Sequence, residues 1–241
     1  MLQTEEIKTE EGRTHLLLLN LLPVVLIALA IISEYSGFDI WWVSFFYDST
    51  RQLWPYTHHW LFDDVIHSGG QYLDRSFILV WLAGFIMVNM RRELASYRKI
   101  CIYFLVASAL GPALVGIGKN ITHIYSPWDL ELFGGIQPYI RLFDKVPDGA
   151  PPGHAFPAGH AAGGYCFVSL YFVFLKYRCR YRVYGLVFAL MLGLVFGVAQ
   201  QVRGAHFPSH DMATLVICWY VSMYLYFLFY PQEWQALAKS G

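Results

Sequence analysis

Charged residues are scarce in this sequence, and neither sign is in excess. Only 14% of the 241 residues are Asp, Glu, Lys or Arg, against about 25% in a typical soluble domain. The 17 basic and 17 acidic residues give a formal net charge of zero. A single soluble domain of this length would need a more charged surface than this, and a nucleic-acid-binding protein would need a basic field. Both classes are therefore excluded.

Cysteine is also scarce, and its four positions follow no known pattern. Cys101, Cys166, Cys179 and Cys218 lie in or beside apolar segments, with neither CxxC spacing nor the spacing of a disulfide framework. We interpret them as small apolar packing residues. The sequence also contains no internal repeat, no low-complexity tract and no dividing linker. It therefore predicts a single domain over residues 1–241.

Apolar residues, by contrast, make up 56% of the chain, and the 18% aromatic content excludes intrinsic disorder. A helix needs about 20 apolar residues to cross a bilayer. Six stretches qualify, the second and fourth only with their flanking residues: 16–32, 77–90, 100–118, 161–175, 183–199 and 212–230. The sequence therefore predicts an all-α integral membrane protein, a bundle of six transmembrane helices.

Basic loop residues predict the side of the membrane that each connection faces. They are concentrated in the second and fourth connections, as Arg91, Arg92, Arg98 and Lys99, then Lys176, Arg178, Arg180 and Arg182. Short basic loops stay in the cytoplasm, so we expect both termini there. Connections 33–76, 119–160 and 200–211 are then expected on the outer, periplasmic face.

The N-terminal segment MLQTEEIKTEEGR is too acidic for the first region of a signal peptide. We interpret 16–32 as a retained first helix. Because no targeting signal is recognisable, we expect the protein in a bacterial inner membrane. No obligate protein partner is evident.

The first outer connection is rich in Trp, Tyr and Phe. Such side chains favour the membrane–water interface. The segment is expected either to lie on the outer leaflet as an interfacial helix or to pack as a loop over the bundle.

Residues that can carry chemistry are concentrated in the outer connections. Lys119 ends the third apolar stretch; alone, it could simply extend its ammonium group toward lipid headgroups. Six histidines of these connections are candidates: His67, which is less closely placed, His123, His154, His160, His206 and His210. Polar groups at one membrane face, on the ends of different helices, indicate a site.

The segment FPAGHAAGG joins the second outer connection to the fourth stretch. Gly159 permits backbone geometry that other residues avoid, and His160 then stands near a helix N-terminus, which favours an anion such as phosphate. Its imidazole could protonate a leaving oxygen. Alternatively, the segment is a glycine-rich helix start that packs closely.

The segment RGAHFPSHD carries Arg203, His206, His210 and Asp211. A histidine oriented by a carboxylate can attack phosphorus while an arginine neutralises the phosphoryl oxygens. His206 and His210, joined by His160, could instead bind a metal, but the nearby positive side chains suit an anion better. A plain interfacial loop is the third interpretation.

Together, these three segments resemble the signature of the type 2 phosphatidic acid phosphatase superfamily of membrane lipid phosphatases. Its patterns are KxxxxxxRP, PSGH and SRxxxxxHxxxD, at the outer ends of a six-helix bundle. Lys119 and Pro127 match the first pattern, with Ser126 where it has Arg. Pro157, Gly159 and His160 match the second pattern.

The third pattern is matched at His206, but its neighbours are shifted. Gln200 stands where the pattern has Arg, and His210 stands where it has Asp. Arg203 and Asp211 are then expected to supply the charge and the carboxylate from displaced positions. In the second pattern, Ala158 replaces Ser.

The resemblance implies a metal-independent hydrolase that needs no cofactor and forms a phosphohistidine intermediate. By resemblance, His206 is the nucleophile and His160 the general acid, and Asp211 orients His206. The expected phosphate-binding residues are Lys119, Arg203, Gly159, Ser126 and, as a substitute cation, Arg141.

The expected substrate is a phosphomonoester or pyrophosphate of an outer-leaflet lipid. Undecaprenyl pyrophosphate, phosphatidylglycerol phosphate, phosphatidic acid and lipid A all present such a group. Two alternatives remain. The first is a lipid phosphotransferase of the lipid A type, which the Ser-Pro pair at Ser126 resembles where the family pattern has Arg-Pro. The second is an inactive protein that binds lipid headgroups.

Overall fold

A computed structural model describes residues 2–177 and 179–238 of the chain. The molecule is 74% helix, and the described residues form no β-strand. Its α-helices are α1 (Leu2–Tyr35), α2 (Phe38–Ser44), α3 (Gly69–Met90), α4 (Arg98–Ile121), α5 (Gly159–Tyr165), α6 (Ser169–Tyr177), α7 (Arg182–Val202), α8 (Pro208–Phe229) and α9 (Pro231–Ala238). A π-helical segment, Leu61–Ser68, leads directly into α3.

Several of these helices are suited to a membrane. Four stretches are long and apolar enough to span one: Leu61–Met90, Arg92–Ile121, Arg182–Val202 and Pro208–Phe229. A fifth is added if α2 and the last part of α1, which are bent by 71° at their junction, form one span. The prediction of an all-α membrane protein is thus confirmed, whereas the number six stays a prediction.

The fourth predicted stretch, 161–175, is divided in the structure. It is covered by α5 and α6, with a 3₁₀ turn at Cys166–Val168 between them. Small residues let α5 approach α7 closely, because a Cβ atom on Gly164 would overlap the backbone of Gly193. This contact holds the start of α5 next to the end of α7.

The turn from α7 into α8 is fixed by backbone hydrogen bonds. The Gly204 N–H donates to the Gln201 carbonyl at 3.0 Å, and the Ala205 N–H donates to the Gln200 carbonyl at 2.9 Å. Gly204 has φ of 83°. This is a Schellman ending, which needs a left-handed residue after the helix. Pro208 then starts α8, at a position where its missing N–H costs nothing.

The first connection packs over the other two. Val43 of α2 is fully buried against an apolar cluster that includes Tyr125, Phe133 and Phe207. The carboxylate of Asp39, also in α2, accepts hydrogen bonds from the Ser33 hydroxyl and from the backbone and side chain of Ser209 at the start of α8.

Aromatic side chains of the same connection remain exposed, among them Phe38, Trp41 and Phe45. The described part of the connection therefore acts as a packed cover over the other loops. Its outer aromatic face retains the composition typical of a membrane interface.

Candidate active site

Backbone pairing brings the two ends of the second connection together. The Gly153 N–H donates to the Thr122 carbonyl at 3.0 Å, and the Ala155 N–H donates to the Ile124 carbonyl at 3.1 Å. The start of α5 therefore lies beside the end of α4. A Cβ atom on Gly159 would come within 3.2 Å of the Lys119 Nζ, so glycine leaves room for that ammonium group.

The start of α8 joins the same place. The Ala158 N–H donates to the His210 carbonyl at 3.4 Å, and the Thr214 hydroxyl donates to the Ala158 carbonyl at 3.1 Å. The three segments singled out from the sequence thus meet at one end of the bundle.

His206 is buried at this meeting point, with 3% of its surface exposed. Burial lowers the pKa of its imidazole well below the usual value, and electrostatic interactions with Lys119, His210 and His160 act in the same direction. A hydrogen bond to the backbone of Ala155 opposes this shift. This environment favours the neutral ring of His206, whose Nδ1 has no hydrogen-bond partner among the described residues.

His160 is only partly buried and lies beside His67, with 4.1 Å between the ring centroids. Burial, followed by electrostatic interactions with His67, Lys119 and Arg203, lowers the pKa of His160 to about 4. An approaching anion such as phosphate would raise this pKa again, because it favours the protonated ring.

Arg203 is placed differently from the sequence prediction. Its NH2 group pairs with Asp63 Oδ1 at 2.7 Å, its Nε donates to the Thr57 carbonyl at 2.9 Å, and its NH1 donates to Gln200 Oε1 at 3.1 Å. Burial lowers its pKa, and the Asp63 charge opposes that change. Arg203 thus ties the first connection to α7 with all three side-chain nitrogens.

Asp211 is not placed beside His206, contrary to the prediction. Its Oδ2 accepts a hydrogen bond from the Gln201 side chain, and its Oδ1 has no hydrogen-bond partner among the described residues. It lies against Gly197 of α7, where a Cβ atom would overlap the carboxylate. The reason is helical geometry: each residue turns about 100° from the last, so residue 211 faces α7.

His210 instead lies near the nucleophile candidate. Its ring centroid is 5.8 Å from that of His206, and its ring also contacts Phe156 and Phe207. The position that carries Asp in the family pattern therefore carries a buried imidazole here.

Two further predicted phosphate ligands point elsewhere. Arg141 forms a bidentate pair with Asp144, at 2.9 and 3.1 Å, and its guanidinium lies 4.4 Å from the Tyr35 ring centroid. The Ser126 side chain bonds with Asp129 at the start of a 3₁₀ turn. Both side chains therefore form their hydrogen bonds with an aspartate of their own loop, Asp144 for Arg141 and Asp129 for Ser126.

The sequence named His67 only as a less closely placed candidate and gave it no role, and it did not assign Gln71, Asp63 or Gln200 to the site. Gln200 Nε2 lies 2.8 Å from His67 Nδ1, and Gln71 Nε2 lies 3.3 Å from the Nε2 atoms of both His67 and His160. His67, Gln71, Gln200 and His160 line a small cleft, and Ile66 and Phe196 form part of its apolar wall. One sequence signal pointed to a different role for position 200: Gln200 stands where the family pattern has Arg.

The metal interpretation finds no support in the geometry. Within residues 2–177 and 179–238, no group of three or more His, Cys, Asp or Glu side chains is arranged to hold a metal ion. The rings of His160, His206 and His210 are close, but they do not form such a group.

A family model described as the PAP2 superfamily matches residues 100–234, which is more than half of the chain. The chain belongs to the PAP2 superfamily. This confirms the resemblance drawn from the three motifs. PAP2 members generally hydrolyse phosphoesters, so membership suggests activity of the phosphatase or phosphotransferase type.

The matched PAP2 region contains Lys119, His160 and His206, but it begins after His67 and Asp63. No curated protein matches the chain. No solved structure matches it either.

Proposed function

We propose that this protein is a membrane lipid phosphatase that hydrolyses a phosphomonoester or pyrophosphate through a phosphohistidine intermediate. One observation carries the proposal: His206 is buried at the point where Lys119 and His160 meet, and this environment lowers the pKa of its imidazole. A neutral imidazole is the nucleophilic form. A phosphoryl group bound there would have a cation and a potential proton donor beside it.

In the first step, a ring nitrogen of His206 attacks phosphorus and a P–N bond forms. The P–O bond to the lipid breaks, and the leaving oxygen takes a proton from His160. Lys119 balances the charge on the non-bridging oxygens.

In the second step, water attacks the phosphohistidine and gives a proton back to His160. The P–N bond breaks, its electron pair returns to His206, and inorganic phosphate leaves. Neither step draws on a metal or another cofactor.

The arrangement supports a lipid as the substrate. The cleft beside His160 opens between α3 and α7, with Ile66 and Phe196 among its apolar walls, and α3 exposes apolar side chains along much of its length. Phosphatidic acid, phosphatidylglycerol phosphate, undecaprenyl pyrophosphate and lipid A are the candidate substrates.

We place the site on the periplasmic side of a bacterial inner membrane, with six spans in one domain and both termini in the cytoplasm. The basic second and fourth connections support this orientation. In this arrangement α5 and α6 together form the fourth span.

Transfer to a lipid acceptor is the second candidate function. His206 is 3% exposed, and such burial limits the access of bulk water to a phosphohistidine, as transfer to another acceptor requires. Product analysis with and without an added acceptor lipid separates hydrolysis from transfer, and from binding of headgroups without turnover.

The deciding experiment is phosphate release from the four candidate lipids in detergent micelles, with EDTA present. We expect release by the wild-type chain, inhibition by vanadate, and at least a thousandfold loss in His206→Ala, because covalent catalysis requires the nucleophile. His123→Ala is the matched control in an outer connection. Wild-type rates in His206→Ala would disprove the assignment.

A further inference from the structure

His67 lies beside His160 although it comes from a different part of the chain. It belongs to the π-helical segment Leu61–Ser68, its ring centroid is 4.1 Å from that of His160, and the amide of Gln71 lies against both rings. The region matched by the family model begins at residue 100. Neither the match nor the three motifs account for His67.

The orientation of the Gln200 amide is fixed by Arg203. A guanidinium group has donors only, so the amide atom that faces Arg203 NH1 at 3.1 Å must be the oxygen. Arg203 itself is held by Asp63 and by the Thr57 carbonyl. The Gln200 amide nitrogen must therefore face the opposite way.

That nitrogen fixes the tautomer of His67. Gln200 Nε2 lies 2.8 Å from His67 Nδ1, and an amide NH₂ group can only donate. His67 Nδ1 must accept, so the proton of the neutral ring is on Nε2. A doubly protonated ring would lose this hydrogen bond, because both of its nitrogens would then be donors.

Gln71 has no comparable constraint. Its amide nitrogen is placed 3.3 Å from the Nε2 atoms of both rings, and an amide can exchange its oxygen and nitrogen to suit the network. Because His67 donates from Nε2, the Gln71 oxygen is the atom that suits this position. The His67 N–H thus faces an exchangeable oxygen in the cleft beside His160.

We propose that His67 binds the phosphoryl group of the substrate as a neutral N–H donor, in a tautomer fixed by Gln200 and Arg203. The inference rests on the proposed phosphoryl-transfer function. A phosphoryl oxygen takes the place of the Gln71 oxygen and accepts the hydrogen bond from His67. Arg203 is a positioning residue here, since it acts on the substrate through Gln200.

The tautomer is measured first, by ¹⁵N–¹H correlation of the imidazole nitrogens in the full-length chain in detergent micelles. We expect a proton on Nε2 of His67, with the signal assigned by its loss in His67→Gln. In Gln200→Glu, a carboxylate that only accepts faces the ring, so Nδ1 becomes protonated. A wild-type His67 with its proton on Nδ1, or a tautomer unchanged by Gln200→Glu, would overturn the proposal.

Binding is measured next, as KM for the best lipid and as inhibition by vanadate. Removing a hydrogen bond to a charged group weakens binding by about tenfold to a hundredfold, so His67→Leu should raise both constants by that factor with a smaller change in kcat. His67→Gln keeps a donor near the Nε2 position and should stay within a few-fold of wild type. The matched control is His123→Gln, a histidine of the second connection that is not among the residues lining the cleft.

The two proposals fail in different ways. If His67→Leu has wild-type constants while His206→Ala is inactive, the role of His67 is refuted and the phosphatase assignment stands. If the wild-type chain releases phosphate from no lipid, the assignment fails, and calorimetric binding of vanadate to wild type and to the His67 variants still decides the inference. Thermal unfolding in detergent checks that each variant is folded; an unfolded His67→Leu leaves the decision to Gln200→Glu.

Discussion

Two histidines of the site have opposite requirements. In the proposed mechanism, His206 must be neutral to attack phosphorus, whereas His160 must carry a proton to release the leaving group. Burial lowers the pKa of both rings. It therefore prepares His206 for its role but leaves His160 dependent on the bound phosphate to regain a proton.

This dependence predicts two different pH profiles. If His160 is the general acid, as proposed, its protonated form is the active one, and activity is lost as pH rises through its pKa. In the free enzyme that pKa is about 4, so kcat/KM should fall with rising pH from the acid range onward. The fall in kcat should occur at a higher pH than the fall in kcat/KM, because bound phosphate raises the pKa of His160 in the enzyme–substrate complex.

Both profiles are measured on the same lipid in micelles, with its own phosphate titrated separately by ³¹P NMR as the control. Superimposable profiles of kcat and kcat/KM would contradict this account of His160.

Asp211 provides a second prediction at this scale. Its carboxylate bonds with Gln201 and not with His206. Asp211→Asn keeps an oxygen that can accept from Gln201, so kcat should stay within about tenfold of wild type, since the change affects one hydrogen bond remote from the nucleophile. The measurement is kcat per folded molecule, and a loss of a hundredfold or more would restore the orienting role that the sequence predicted.

At the scale of elements, the turn between α7 and α8 controls the geometry of the site. Gly204 ends α7 in a left-handed conformation, and a Cβ atom there would come within 2.5 Å of the Trp54 ring. Arg203 precedes this turn and His206 follows it. A small change in the turn would therefore displace both Arg203 and His206, the proposed nucleophile.

Gly204→Ala should lower both stability and activity. The left-handed backbone alone costs an alanine about 1–2 kcal/mol, and the overlap with Trp54 adds to this. Gly149→Ala is the matched control, because Gly149 has φ of 79° but nothing within 4 Å of its Cβ position. Thermal unfolding in detergent and kcat are measured for both variants, and equal effects would refute a special role for this turn.

At the scale of the whole molecule, the sequence predicted those features of the fold and the site that are determined by local sequence patterns. Apolar runs predicted helices because hydropathy and length are local properties, and short motifs located Lys119, His160 and His206. The directions of Arg203 and Asp211 were not predictable in this way, since one residue of helical register decides which neighbour each side chain meets. His67 was not assigned to the site because its position depends on how a distant loop packs.

The orientation in the membrane is tested on the intact chain. Ile136→Cys, at a position that is 83% exposed in the second connection, should react with a membrane-impermeant maleimide in intact cells. Arg92→Cys, on the opposite side, should react only after permeabilisation. The chain without an added cysteine gives the background, and labelling of Arg92→Cys alone in intact cells would reverse the topology.

The bond from Asp39 to Ser209 has a consequence for chimeric proteins. It joins α2, outside the matched region, to the first turn of the helix that follows the nucleophile. A chimera that receives residues 100–234 alone would contain His160 and His206 but not Asp39, whose carboxylate anchors the start of α8. Exchange of activity between family members should therefore require the first connection as part of the same graft.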